Sequence, residues 1–563
     1  MAAPVPLMVG VTGHRDLAEQ DIDQVRQRIE AFLRELQTRY PNSPIMILSA
    51  VAEGADTLVV ESAERMGCQI QLILPMPVDL YREDFSGAAR NHFEAMVARH
   101  PTTELALLEE GVAFSHERQY EQLGSFLTAH SHVLLALWDG KYIDAPGGTS
   151  QVVDFHQRDI SPMYDEKQVR SAVDITDDES DLVYHIVCGR QSSGAPASPL
   201  RAGSAYWFTR DDQQPRTSEL PIRYHQVFTR LDRFNQDIQK PPIEAAYRLE
   251  PQQHQPDPHP CEPIQTIYGI SDALAGMYQN RVMRALQTTL GAAVLAGLFF
   301  ILYADFEDQG SMIWGYLLFV GLALGSYLWA QRQEWQRCYL DYRVLAESLR
   351  VQYYWALAGV RMSNPSRFSH DSFMQGRDLE LGWIRHVMRY TGLQADAGFQ
   401  PGAAELGDAI RGWVGDQNQG QLEYYQRKAG EKLYQHKRTQ LLARGCFVLG
   451  LLAAALLALG VGDLVTSADT WLVALMGLLP IVAAARQTYA HRVAERELVA
   501  QYAHMHEIFA NAHRLIEQAR EQDSAERQIK IILRDLGEAS LNENAQWVLR
   551  QRERPLPGGG PMG

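Results

Sequence analysis

The sequence predicts an α/β N-terminal domain with a parallel sheet. An all-α membrane region follows it, with four transmembrane helices in two hairpins and long cytosolic helices. Between residues 5 and 190, short apolar runs alternate with helical patterns, an order typical of parallel strands joined by crossover helices. Later in the chain, four charge-free apolar stretches approach the roughly 20 residues that a helix needs to cross a bilayer.

The composition argues against several classes of protein. The chain has 563 residues and a formal net charge of −16, whereas a protein that binds nucleic acid usually shows a basic patch. The five cysteines lie far apart without CxxC spacing. This pattern indicates a reducing compartment and neither a disulfide framework nor a structural zinc site. The N-terminus lacks the basic region of a signal peptide, and the histidines show no metal-ligand spacing.

Five strands and four helices are predicted in the N-terminal domain. The strands are almost continuously apolar, which fits a sheet covered on both faces. The predicted strands are 7–12, 45–50, 70–74, 132–138 and 183–187, and the predicted helices are 21–40, 54–66, 85–100 and 116–130.

Glycines and polar side chains follow several of these strands, and ligands of open α/β sheets bind beyond the carboxyl ends of the strands. A glycine turn after the first strand lets the backbone approach a phosphate, with which Arg15 can form two hydrogen bonds. The helix after Gly54 offers its N-terminus to an anion. The predicted ligand-binding residues are Thr12, Gly13, His14, Arg15, Glu53, Gly54, Ala55, Asp56, Pro75, Asp139, Gly140, Gly147, Gly148 and Thr149.

The four apolar stretches are predicted to be transmembrane spans, at 285–303, 313–330, 445–461 and 471–485. The first two are long enough to cross a bilayer. The third is borderline, and the fourth is short and contains Pro480. A buried helix of a soluble protein is the alternative interpretation of each stretch.

Charges around these stretches predict their orientation. Arginine and lysine flank the open ends of both hairpins, whereas the connectors carry only acids, such as Asp308 and Asp463. Basic residues stay on the cytoplasmic side, so we expect both termini in the cytosol and both connectors outside. The spans contain no charged residue, which disfavours a coupled transporter.

The two hairpins resemble diverged copies of one unit. Arg343 and Val344 follow the second span as Arg492 and Val493 follow the fourth, and Leu, Gln and Tyr come at the same offsets afterwards. The second span also contains a Gly-x-x-x-Gly pair, a spacing that allows close helix approach in membranes. The predicted units are 1–190, the α/β domain; 191–265, a linker with one helix; 266–410 and 411–552, the two membrane modules; and 553–563, a disordered tail.

Several of these segments resemble known families. The glycine-bearing segments together resemble the SLOG domain, a Rossmann-like group similar to the LOG phosphoribohydrolases and the DNA-processing proteins. The tyrosine-rich stretches 341–347 and 421–428 resemble the SLATT family, two-span effector modules found with nucleotide-sensing domains in bacterial conflict systems. The segments that carry the SLOG resemblance are 9–16 (VGVTGHRD), 53–56 (EGAD), 134–140 and 147–149 (GGT).

The resemblance implies that the crevice binds a nucleotide or a nucleotide-derived signal, with no further cofactor. LOG hydrolases use a glutamate within a PGGxGTxxE motif. Here the segment 146–151 lacks one glycine, Gln151 and Val152 are not acids, and Asp154 is the only carboxylate nearby. An amide cannot replace a carboxylate in acid–base catalysis, so the sequence favours sensing over hydrolysis.

The leading hypothesis is a membrane effector in bacterial antiphage defence, located in the bacterial inner (cytoplasmic) membrane. It would sense the nucleotide-derived signal in its cytosolic domain and respond through oligomeric transmembrane helices, by pore formation or membrane disruption. Two alternatives stay open: a membrane-anchored nucleotide N-glycosidic hydrolase, and a ligand-gated ion channel with a housekeeping role. The expected partners are the nucleotide signal, the lipid bilayer and further copies of the chain, as a dimer or tetramer.

Overall fold

The computed structural model describes most of the chain. The predicted tail 553–563, residues 363–378 of the joint between the hairpins, and the last two residues of the third predicted span, 460–461, lie outside the described part. The described residues are 4–107, 115–143, 145–158, 181–192, 194–210, 215–240, 260–305, 310–360, 379–395, 401–459, 468–522 and 524–552.

The N-terminal domain contains a mostly parallel sheet with the strand order β4-β3-β2-β1-β5-β6-β7-β8. The first six strands pair in parallel, and β7 and β8 continue the sheet antiparallel to β6. The predicted α/β fold is therefore confirmed. The strands are β1 (Leu7–Gly13), β2 (Ile45–Ser49), β3 (Gln69–Leu74), β4 (Thr102–Glu104), β5 (Val133–Trp138), β6 (Val183–Val187), β7 (Ala205–Phe208) and β8 (Arg216–Thr217).

In the described part of this domain, six helices lie among these strands, at bounds close to those predicted where a helix was predicted. On α1, Val25, Ile29 and Leu36 are buried at helical spacing, so one stripe of the helix packs on the sheet. The two sheet faces bury alternate residues of a strand, such as Val9 and Met8, in separate clusters. The helices are α1 (Ile22–Arg39), α2 (Ala55–Arg65), α3 (Val78–Tyr81), α4 (Gly87–Arg99), α5 (His116–His130) and α6 (Thr149–Arg158).

The segment 191–265 contains more secondary structure than the predicted linker with one helix. It supplies β7, β8 and the helix α7, whose bounds Ile222–Ile238 match the prediction. Residues 241–259 of the segment are not described. This segment therefore belongs in part to the α/β domain.

The rest of the described chain is helical. Four helical stretches, in α8, in α9, in α13 and in the run from α14 into α15, are long and apolar enough to cross a membrane. Large apolar side chains face outward there: Leu318 is 67% exposed and Leu451 is 63% exposed. The helices are α8 (Glu262–Asp305), α9 (Met312–Arg332), α10 (Trp335–Ala358), α11 (Gly382–Ala395), α12 (Ala403–Ala409), α13 (Gly420–Ala458), α14 (Ala468–Arg492), α15 (Glu495–Ala519) and α16 (Ala525–Arg552).

The two hairpins share one layout. Each has a long helix, a second apolar helix, a two-residue break whose second residue is in the left-handed conformation, and a further helix. The breaks are Glu334, with φ of 51°, and Ala494, with φ of 55°. Arg343 lies after its break, however, and Arg492 lies before its own. The predicted sequence match therefore does not pair equivalent positions, although the layout is repeated.

Glycines mark where the apolar helices meet. A Cβ on Gly297 of α8 would touch Ile481 of α14, and a Cβ on Gly477 of α14 would touch Ile301 of α8. The Gly-x-x-x-Gly pair of α9 is different, because no described atom lies within 4 Å of a Cβ placed on Gly321. Gly315 of α9 also lies against Phe299 of α8. Close approach within the described chain thus uses glycines other than the predicted pair.

Helix α7 joins the α/β domain to the helical region. The Asn235 amide accepts the Val5 N–H at 2.8 Å and donates to its carbonyl at 2.8 Å. On the other side of α7, Arg230 and Arg233 both pair with Glu334, the break residue after α9. These arginines, with the Arg230 hydrogen bond as the largest contribution, lower the pKa of Glu334 to about 2.

Helix α11 is a second connection, although the sequence places it between the hairpins. The His386 ring stacks on His132 at the start of β5, with 3.8 Å between ring centroids, and Leu393 packs with Met8 and Met46 of the sheet. Gln352 of α10 donates to the Met388 carbonyl at 2.8 Å. The α/β domain is thus held to the helical region at two places.

Candidate functional site

The strand order defines where a ligand of this sheet would bind. The chain leaves β1 toward β2 on one side, while β5 pairs with β1 on the other side. In open α/β sheets, the crevice at such a reversal, beyond the carboxyl ends of the strands, is the usual ligand site. Here β1 ends in Gly13 and His14, and β5 ends in Trp138 and Asp139. All fourteen predicted residues lie along this carboxyl edge.

His14 and Asp139 meet at the reversal. The backbone N–H of Asp139 donates to Nε2 of His14 at 3.1 Å, and the Asp139 carboxylate lies 3.2 Å from the same nitrogen. Burial lowers the pKa of His14, against the opposing effect of Asp139. His14 thus uses Nε2 for a contact within the protein.

Protein covers this flank of β1. The Ala197 N–H donates to the Asp139 carbonyl at 2.8 Å, and a Cβ on Gly140 would lie 2.4 Å from Leu200. Arg190, which follows β6, pairs with Asp16 at 2.9 Å. Asp139 is fully buried as a result. We call this side of β1, beside β5, the covered flank.

The other side of β1, beside β2 and β3, carries the accessible charges; we call it the open flank. Arg15 is exposed and lies over the Tyr120 ring of α5, with 5.3 Å between the guanidinium carbon and the ring centroid. The Tyr120 hydroxyl donates to Asp84. An exposed guanidinium held against an aromatic ring is oriented to bind a phosphate or carboxylate.

Asp56 lies below Arg15, in the first turn of α2. Its carboxylate accepts a hydrogen bond from the Ser49 hydroxyl at 3.1 Å. Burial raises the pKa of Asp56 to about 6, although Ser49 and Arg15 oppose the shift. As the pH rises through about 6, the Asp56 carboxyl therefore becomes negatively charged near Arg15.

Two predicted glycines bring protein segments together. Gly54 has φ of +83°, and a Cβ there would lie 2.3 Å from the carbonyl oxygen of Arg15. Gly147 has φ of +69°, and its Cβ would lie 2.5 Å from Cβ of Tyr120. A side chain is excluded at both positions by neighbouring protein. These glycines thus fix the arginine and the tyrosine that form the open flank.

The first N–H of α2 is also used within the protein. The Ala55 N–H, predicted to face an anion, donates to the His14 carbonyl at 3.1 Å. Pro75, after β3, is buried, and its carbonyl accepts the side-chain N–H of Gln119 at 2.7 Å. Glu53 is exposed at the same edge. Arg15 therefore remains the candidate group for binding an anion, whereas the first N–H of α2 is occupied by the His14 carbonyl.

The remaining predicted residues lie at the ends of elements. Thr12 is buried in β1, in register with Ala136 of β5, and Gly148 directly precedes α6, which begins at Thr149. The Gln151 amide, in the first turn of α6, accepts the Gly147 N–H at 2.5 Å. This side chain therefore holds the glycine turn in place.

The sequence did not identify Asp84 or Arg190, which hold Tyr120 and Asp16. Both are charged residues after a short helix or strand, and neither lies in a glycine motif. The signal for Tyr120 was weak, namely its place in the first turns of a helix. Among the described residues, no group of three or more His, Cys, Asp or Glu side chains is placed to hold a metal ion.

No protein-family model matches the chain, and no curated protein matches it either. Its class is therefore defined by the fold: an α/β domain with a mostly parallel sheet, followed by a helical region with four long apolar helices.

Proposed function

We propose that this chain is a membrane effector whose cytosolic α/β domain senses a nucleotide-derived signal. The observation that carries the proposal is the open flank: the exposed Arg15, oriented by Tyr120, at the carboxyl edge of a parallel sheet. This is where ligands of such sheets bind. The resemblance to SLOG domains supports a nucleotide as the source of the anion.

The proposed output is an oligomer of the apolar helices in the bacterial inner membrane, with both termini in the cytosol. The outward-facing leucines of α9 and α13 support contact with lipid. Four spans without charged residues cannot enclose a wide polar path alone, so a dimer or tetramer is part of the proposal. Pore formation or membrane disruption in antiphage defence fits the resemblance to SLATT modules.

The proposed coupling runs through α7. This helix contacts the α/β domain at Val5 and the break after α9 at Glu334. A ligand shifts an equilibrium only if it binds the two arrangements with different affinity. A shift of the α/β domain relative to α7 would act directly on the junction where the second apolar helix ends.

Hydrolysis is not part of the proposal. The Gln151 amide is engaged with Gly147 and, at 3.2 Å, with Glu121, and an amide does not provide acid–base catalysis. A nucleotide bound at the open flank would be recognised without being cleaved.

The test uses the full chain reconstituted in liposomes that contain a fluorescent dye. Binding of mant-ADP and of a fluorescent cyclic dinucleotide is measured together with dye release. We expect Arg15→Ala to lose binding and release, and Arg99→Ala to keep both, because Arg99 lies before β4 at the opposite edge of the sheet. Equal binding by wild type and Arg15→Ala would refute the proposed site.

A separate variant tests the proposed coupling between nucleotide binding and dye release. Glu334→Gln removes the charge that both Arg230 and Arg233 contact. We expect nucleotide binding to be unchanged and dye release to fall about tenfold, which corresponds to about 1.4 kcal/mol of coupling free energy. Glu423→Gln, at an exposed ion pair on α13, is the matched control. If the two variants release dye equally, the coupling does not run through this contact.

A further inference from the structure

A cavity of about 970 Å³ lies between the cytosolic parts of the two hairpins. Helices α8, α10, α13, α14, α15 and α16 all contribute to its wall. Sites for small molecules typically measure about 300–1,000 Å³. The cavity is remote from the carboxyl edge of the sheet, and the proposed sensor site does not use it.

The floor of the cavity is neutralised by ion pairs within the protein. Arg343 of α10 pairs with Asp272 at 2.7 Å and with Glu347 at 2.6 Å. Arg350 pairs with the same Glu347 at 2.7 Å. Two arginines thus face two carboxylates, and this part of the cavity holds no net charge.

The upper wall is basic. Lys432, Arg438 and Arg492 line it, and within the described part of the chain none of the three forms an ion pair with a carboxylate. Arg486 also lines it and is paired with Glu495 at 3.3 Å. Three uncompensated positive charges therefore point to an anionic ligand.

The basic wall lies next to the ends of two apolar stretches. On α13, Arg438 and the cavity-lining Leu442 lie seven and three residues before Gly445, where the apolar stretch begins, and Lys432 lies six residues further away than Arg438. On α14, Arg486 and Arg492 lie one and seven residues after Ala485, where the apolar stretch ends. In the membrane orientation proposed above, these helix ends meet the cytosolic headgroup layer, where basic pockets between helices bind anionic headgroups.

We propose that this cavity binds the phosphate group of an anionic phospholipid, with Lys432, Arg438 and Arg492 as its cationic ligands. The hydroxyl of Tyr489, which also lines the cavity, is a further donor. The inference rests on the proposed membrane placement and is independent of nucleotide sensing. A soluble phosphate compound offers the same chemistry, and the experiment separates the two sources.

The delipidated full chain in detergent is titrated with phosphatidylglycerol and, separately, with phosphatidylcholine, and bound lipid is counted by native mass spectrometry. A triple variant, Lys432→Gln/Arg438→Gln/Arg492→Gln, is compared with the matched control Lys437→Gln/Arg444→Gln/Arg496→Gln. The control residues are exposed and do not line the cavity. We expect affinity for phosphatidylglycerol to fall about tenfold or more in the cavity variant, because its three cations line one cavity and can contact the same phosphate group. The control should stay within about twofold of wild type, because its three side chains do not line the cavity and bind no common phosphate group.

Inorganic phosphate provides the soluble arm. If millimolar phosphate displaces the phosphatidylglycerol that depends on the three cavity cations, and leaves other bound lipid in place, the cavity binds phosphate and its ligand is a soluble phosphate compound. Equal losses in the cavity and control variants, or equal binding of the two lipids by wild type, would overturn the proposal. A chain that stays soluble without detergent and binds neither lipid would instead overturn the membrane placement itself.

Discussion

The two flanks of β1 begin at the same turn and differ in how the protein covers them. On the covered flank, His14 and Asp139 are in contact with each other, and the loop after β6 closes over them through Arg190 and Ala197. On the open flank, Arg15 stays exposed against Tyr120. A structural histidine, His14, and a candidate ligand-binding arginine, Arg15, are therefore consecutive residues.

This difference teaches that a glycine-bearing turn can hold its own domain together and still present a ligand group. The covered flank uses its polar atoms internally, so we assign it to stability. The open flank leaves one cation free in a fixed position, so we assign it to recognition. Three substitutions, each with its own measurement, test these assignments. They follow in order of decreasing expected effect on stability.

Gly54→Ala places a Cβ against the carbonyls of His14 and Arg15 and forces an alanine into φ of +83°. Left-handed strain and overpacking together should cost about 3 kcal/mol of unfolding free energy. The turn that carries Arg15 must move, so nucleotide binding should also be lost. Thermal unfolding and mant-ADP titration of the full chain measure both effects.

Gly67→Ala is the matched control for that substitution. Gly67 has φ of +70° but no described atom within 4 Å of an added Cβ. It should cost only the left-handed strain, about 1 kcal/mol, and leave nucleotide binding intact. If both variants lose the same stability, close packing at the Arg15 turn is not what Gly54 provides.

Asp56→Asn should alter how stability depends on pH. The folded-state pKa of Asp56 is about 6, against an ordinary value of 3.8, so the folded protein loses stability as pH rises from about 4 to 6 and the carboxyl ionises. The loss is roughly 2–3 kcal/mol, at 1.36 kcal/mol per pKa unit. The Asp56→Asn variant does not undergo this loss, so its melting temperatures at pH 4 and pH 7.5 should differ less than those of wild type. The exposed substitution Asp79→Asn should leave the gap unchanged, and a gap equally wide in Asp56→Asn would show that Asp56 is not the titrating group.

Arg190→Ala weakens the cover of the covered flank. Its ion pair with Asp16 is partly exposed, so we expect a loss of only about 0.5–1 kcal/mol in unfolding free energy. Mant-ADP affinity should stay within about twofold of wild type, because the open flank is untouched. A tenfold loss of affinity with little loss of stability would place the ligand under the covering loop, and our assignment of the flanks would be reversed.

Long, strongly apolar elements were predictable from the sequence. The strands around β1 and the helix His116–His130 were predicted at or near their observed bounds, because burial on both faces leaves a continuous apolar run. The strands Thr102–Glu104, Ala205–Phe208 and Arg216–Thr217 were not predicted. They are short and lie toward the edges of the sheet, so they need few apolar residues and leave little pattern.

Long-range contacts were the second limit. His132 stacks on His386 from a part of the chain that follows the first hairpin, and α7 reaches Glu334. Periodicity shows which face of a helix is buried but not against what it packs. The glycine motifs were ambiguous for a related reason, because a missing Cβ allows close approach by a ligand or by protein. Gly54 and Gly147 proved to be approached by protein.

Hydrogen–deuterium exchange of the full chain in lipid nanodiscs, with and without a nucleotide that binds, tests the central claim most directly. The account predicts slower exchange at 14–16, 54–58 and 119–121 on the open flank, and altered exchange at 230–234 and 333–336, where α7 meets the break after α9. Protection confined to the covering loop at 188–192 would contradict it. Protection of the open flank with no change at the α7 junction, under conditions where the nucleotide releases dye from liposomes that contain the same chain, would also contradict it.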